Sequence, residues 1–183
     1  MSAETLRELF VEELRDMYDA EKQLTRALPR MARAVDSEQL REALTSHLDE
    51  TEQQVTRLEQ VFKSIGETAR GKKCDGMQGI LDEGKKALEE LDGALLDAAV
   101  IAGSQKVEHY EIASYGTLAY FAELLGEAKA KQLLGQSLNE EKAADQKLSA
   151  IAKSRVNCDA LMQAGEEGEE TDTERATSRS RSR

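Results

Sequence analysis

Residues 101–126 read IAGSQKVEHYEIASYGTLAYFAELLG, and within them Ile101, Ser104, Glu108, Glu111, Tyr115, Leu118, Ala122 and Leu125 recur at spacings of three and four. Side chains so spaced share one face of an α-helix. Gly126 follows the last of them, as a helix stop should. A helix that only packs a core keeps that face apolar. Here Glu108 and Glu111 interrupt it near its middle, between Ile101 and Tyr115. The period predicts a helix over 94–125 with two acids on its buried side.

The same pattern lies on both sides. A helix is predicted over 4–34, with one column of Phe10, Met17, Leu24 and Met31 and another of Leu14, Glu21, Leu28 and Val35. Pro29 should kink it or end its first part. Asp36 and Ser37 can cap a second helix over 38–65, whose stripe is Leu40, Leu44, His47, Thr51, Gln54, Leu58, Val61 and Ile65. Residues 127–161 form the last long pattern, with Leu134, Leu138, Glu141, Asp145, Leu148 and Ala152. Between the second and third patterns lies a connector with four glycines, two lysines and Cys74, then a short helix over 80–91. Short connections make each flanking pair an antiparallel hairpin. The expected architecture is all-α: a ferritin-like four-helix bundle of two hairpins, joined by a long crossover that carries the short helix.

Composition agrees. Of 183 residues, 33% are charged and 4% aromatic, with no Trp and one Pro, which excludes a loop-rich sandwich or barrel. No apolar run approaches the roughly 18 residues of a membrane span, and MSAETLRELF lacks a secretory pattern. Two cysteines make no disulfide framework, so a cytoplasmic setting is expected. The net charge of −11 opposes general attraction to nucleic acid or anionic lipid. The bundle should occupy residues 1–163. Residues 164–183, acidic and then alternating Ser and Arg, read as a disordered tail: a nucleic-acid or partner-binding arm, or a solvated terminus.

Every long helix breaks its apolar stripe with a carboxylate. Glu21, Glu50, Glu108, Glu111, Glu141 and Asp145 converge with His47 and Gln54 at matching depth. Burying an unpaired carboxylate costs several kcal/mol, and like charges add to it. Lys22, Arg57, Lys106 and Lys142 fall on other faces. Either the carboxyls hold protons and hydrogen bonds, or cations sit among them. Two divalent ions suit six oxygen ligands and an imidazole. Each acid alone is weak evidence, since one Glu or one ExxE is common on a solvated helix face. Their joint occurrence in all four helices points to metal.

The segments LFVEELRDMYDAEKQL, HLDETEQQVTRLEQVF, KCDGMQGILDEG, VEHYEIASYGTLAYFAELLG and LNEEKAADQKLSAIA resemble the YciF/YciE family of bacterial ferritin-like stress proteins, over nearly everything before the tail. The resemblance implies a ferritin- and rubrerythrin-like fold, a homodimer and a di-metal centre, iron first and manganese second. It implies Glu21, Glu50, the Glu108–Glu111 pair and Glu141 as ligands. If the site is a redox enzyme's, Glu50 and Glu141 are the candidate bridges and Glu21 and Glu111 the terminal ligands. The Glu-x-x-His signature of di-iron bundles is missing. His47-x-x-Glu50 with Gln54, and Glu141 with Asp145, stand in its place. Fewer imidazoles make a harder, oxygen-rich site. Two functions follow: oxidation of Fe(II) by peroxide or O₂ under stress, or a helical bundle, with or without metal, acting in protein association.

Three further features are weaker. His109 lies about 100° round the helix from Glu108 and reads as a supporting or interface residue. Tyr18, Tyr110 and Tyr115 are hydrogen-bond or radical candidates set against ordinary packing. Lys72 and Lys73 precede Cys74 and could favour a thiolate, but a structural or incidental thiol is the reading expected.

Overall fold

Thr5 opens the first helix. Its hydroxyl accepts from the Glu8 N–H, and the Glu8 carboxylate accepts from the Thr5 N–H, a capping box. In a computed structural model that describes residues 4–163, five helices follow: α1 (Leu6–Ala34), α2 (Glu38–Ser64), α3 (Asp75–Glu90), α4 (Gly93–Leu124) and α5 (Ala128–Ile151). A π-helical turn, Ala152–Val156, extends α5, and residues 157–163 are helical again. The described residues contain no strand. The anticipated 164–183 tail lies outside them.

Contacts at the helix ends fix the directions. Arg7 at the start of α1 donates to the Ile65 carbonyl (2.8 Å) and pairs with Glu127 (2.9 Å). Asp97, near the start of α4, accepts from the backbone N–H groups of Asp36 (2.9 Å) and Ser37 (2.8 Å). The Gln163 carboxamide oxygen accepts from Ala94 N–H at 2.9 Å. So α1 runs antiparallel to both α2 and α4, and α5 returns along α4. α2 also packs against α5. The chain from 65 to 92 starts beside Arg7 at one end and delivers α4 beside Ser37 at the other.

The core is the set of stripes turned inward. Phe10, Leu14, Met17 and Leu24 of α1 meet Leu40, Leu58, Val61 and Phe62 of α2, with Leu118 of α4 and Leu134 of α5, all buried. Each such side chain contributes about 1.5–3 kcal/mol by leaving water.

α1 ends at Ala34 as expected, with Pro29 inside it. Two boundaries differ from expectation. α3 begins at Asp75, not near 80, because Cys74 caps it: its sulfur accepts from the Met77 N–H at 3.4 Å. α5 leaves regular α geometry after Ile151, where the π turn Ala152–Val156 begins, with Ala152 and Val156 buried in it.

Candidate metal centre

The interruptions in the stripes meet inside. Glu21 comes from α1, His47 and Gln54 from α2, Glu108 and Glu111 from α4, and Glu141 from α5; all are buried. His47, Glu108, Glu111 and Glu141 each offer one ligand atom, and these atoms lie within 4.8 Å of one another. His47 Nε2 is 3.5 Å from Glu108 Oε1 and 3.8 Å from Glu141 Oε2.

Two of the carboxylates are anchored by one oxygen only. The Tyr115 hydroxyl donates to Glu21 Oε1, and the Gln54 carboxamide donates to Glu141 Oε1. Glu21 Oε2, Glu141 Oε2, Glu108 Oε2, His47 Nε2 and both oxygens of Glu111 are buried with no hydrogen-bond partner. Buried polar atoms are rarely left so, since each costs about 1–3 kcal/mol. Here they share one volume.

The electrostatics follow from burial. The Glu108 carboxyl is pushed up to about 11, first by loss of solvent, then by its hydrogen bond to Glu141 and the Glu141 charge. Glu111 is raised well above the usual range by burial and by the charges of Glu21, Glu141 and Glu108. Glu21 is raised by burial and Glu141, against the opposing pull of the Tyr115 hydrogen bond and Arg57. Burial, then the Glu21 charge, raises the Tyr115 hydroxyl too.

Glu50 and Asp145 are not drawn into this group. Glu50, 42% exposed, sits outside His47 with Oε2 3.5 Å from Nδ1, and that contact lowers its proton affinity. Asp145, 21% exposed, accepts from Gln105 (3.0 Å) and lies 3.6 Å from the exposed His109. Each stands one turn toward the surface from the interior column.

Other residues matter that the stripes did not reveal. Arg57, assigned to another face, reaches the edge of the centre. It donates to both oxygens of Glu140 (2.7 and 2.8 Å) and to Ser137 (2.8 Å), and Gln54 also donates to Glu140 at 3.1 Å. The signals were spacing: Arg57 follows Gln54 by three residues, and Glu140 precedes Glu141. Cys74 is the structural thiol that was expected, not a thiolate. It is buried, 2.9 Å from the Tyr110 hydroxyl, which donates to Asp16, while Lys73 turns away to Asp75. Burial and Asp16 push the thiol up. Tyr18 donates to Glu59, away from the centre.

An oxygen-rich donor set with one imidazole suits hard divalent cations. Known proteins place this geometry in context. Residues 5–161 match the family DUF892, described as a domain of unknown function. Protein YciF of Escherichia coli (strain K12) is 47% identical over 159 residues, which cover 86% of this chain and 96% of YciF. The crystal structure of the E. coli stress protein YciF matches with a TM-score of 0.81 at 46% identity, covering 85% of this chain and 99% of that one. YcfI from Rhodopseudomonas palustris, described as a proposed structural protein, matches with a TM-score of 0.78 at 45% identity, over 81% and 97% of the two chains.

Proposed function

The chain belongs to the DUF892 family as a relative of YciF, and from that premise we propose that it is a ferritin-like stress protein that holds two divalent metal ions, iron or manganese, among its four long helices. The helix directions support a ferritin-like bundle: two antiparallel hairpins, with residues 65–92 and α3 as the long crossover. We place this bundle in residues 1–163, in a cytoplasmic homodimer with 164–183 as a separate tail. The stress role rests on the description of the E. coli relative.

The observation that carries the metal reading is the set of buried atoms without partners. His47, Glu108, Glu111 and Glu141 would hold the ions, with the free oxygen of Glu21 completing the set. Ionised, these four glutamates carry four negative charges, which two divalent cations neutralise. The hydrogen bonds from Tyr115 and Gln54 orient their carboxylates, as supporting residues do around metal ligands. Glu50 orients His47 through Nδ1, and Asp145 stands outside with His109. Bound iron would supply one-electron chemistry to peroxide or O₂ among these buried side chains.

A second reading is a metal-free bundle acting in protein association. The raised carboxyls of Glu21, Glu108 and Glu111 favour it, because protons could neutralise them instead. So does the description of the R. palustris relative. Metal analysis of protein purified without chelator separates the two. The metal reading expects about two equivalents of iron or manganese per chain, lost together in Glu111→Ala. It also expects Fe(II) with peroxide to give an absorbance change faster than the protein-free rate. Protein that retains no metal, and whose melting point ignores added Fe(II) and Mn(II), leaves only the association reading.

A further inference from the structure

We infer that the cleft between α2 and α5 is the passage through which a hydrated divalent cation reaches the buried carboxylates; this rests on the metal-centre reading above. The cleft has a volume of about 420 Å³, and its lining includes His47, Glu50, Glu108, Asn139, Ala144 and Lys147. A water takes about 30 Å³ of liquid volume, so an ion with its inner shell of waters fits.

The cleft ends on the centre itself. His47 and Glu108 are both more than nine-tenths buried, and His47 Nε2 and Glu108 Oε2 lack partners. The seam is closed on either side of it. Toward the end of α2, Gln54 and Arg57 tie it to Glu140 and Glu141 by hydrogen bonds. Toward the start of α2, Leu44 and Leu148 are buried. Between these closures α5 lines the cleft with the short side chains of Ala143 and Ala144, beside Lys147.

Charge at the mouth is mixed. Glu50 attracts a cation, and the exposed Lys147 opposes it. Exchange of its waters for His47 Nε2 and Glu108 Oε2 would then complete the entry, with no bond made or broken in the protein.

Loading kinetics test this. Chelator-treated protein is mixed with Co(II) without oxygen, and the visible absorbance is followed by stopped flow; equilibrium dialysis gives the final stoichiometry. Ala144→Leu should slow loading by about tenfold or more while leaving the stoichiometry unchanged, since bulk in a passage alters rate and not affinity. Lys147→Glu, at an exposed position that does not threaten folding, should speed loading by about threefold at low salt, and the gain should vanish near 0.5 M salt. Loading at the unmodified rate in both variants overturns the passage, with the metal centre intact. Unmodified protein that takes up no Co(II) at equilibrium overturns the metal reading and the passage with it.

Discussion

Glu111 is the worst-served side chain of the centre, with both oxygens buried and unpaired. Without metal it burdens the fold. Glu111→Leu should therefore stabilise chelator-treated protein by about 1–3 kcal/mol. For a chain this long that is about 2–4 °C of melting temperature per kcal/mol. The same variant should lose the upward shift that Mn(II) gives the parent, and paired melts with and without Mn(II) check both halves. Proton linkage gives a second prediction. Glu108 keeps its proton in the fold up to about 11, against 4.5 ordinarily. Between those values the unfolded chain binds fewer protons than the folded one, so metal-free stability falls as pH rises. Melts in chelator should climb from about pH 8 to about pH 5.5, by up to about 1.4 kcal/mol per pH unit for each such carboxyl. Stabilisation by Mn(II) should instead grow with pH, because metal competes with those protons; a flat chelator profile would contradict the buried-acid account. Such residues are legible in sequence because a carboxylate in a leucine column violates the burial rule. Glu140 and Arg57 break no rule, since a helix surface is where acids and bases belong. Their part depends on α2 meeting α5 in a particular register, which no single stripe encodes.

Elements show the same division between what local pattern encodes and what packing decides. The four long helices follow from apolar period and caps, and their bounds fall within a few residues of expectation, the late part of α5 apart. The start of α3 was hidden, because Gly76 and Gly79 read as connector and a cysteine is an unusual cap. The two glycines serve different ends. A β-carbon on Gly76 would lie 2.9 Å from the Tyr110 ring, whereas one on Gly79 would meet nothing within 4 Å. Gly76→Ala should accordingly cost about 1–3 kcal/mol by pushing α3 off α4. Gly79→Ala should add about 0.5–1 kcal/mol by restricting the unfolded chain within a helix interior. Urea melts of the two variants measure the contrast, and equal effects would mean that α3 does not sit against Tyr110. The π turn after Ile151 has no signal in the pattern either: Leu148, Ile151, Ala152 and Val156 recur at spacings that a regular α-helix also buries on one side.

At the scale of the whole molecule, the outward side of α4 asks for a cover. Ala102, His109, Ala113, Tyr120 and Leu124 are exposed along it, with Tyr120 and Leu124 more than half open to solvent. A second copy of the chain would bury that face, in keeping with the proposed homodimer. The candidate donors His47, Glu108, Glu111 and Glu141 all come from one chain. Assembly and metal loading should therefore separate. Light scattering should find twice the 20.2 kDa chain mass for the unmodified protein. Tyr120→Glu combined with Leu124→Glu should shift it to a single chain, because charge buried without a partner opposes association. Metal per chain should be unchanged in that variant, with only the concentration dependence of the melt lost. A double variant that becomes monomeric and also loses its metal would show that the partner helps to hold the carboxylates in place, a coupling that the hydrogen bonds from Tyr115 and Gln54 make unnecessary.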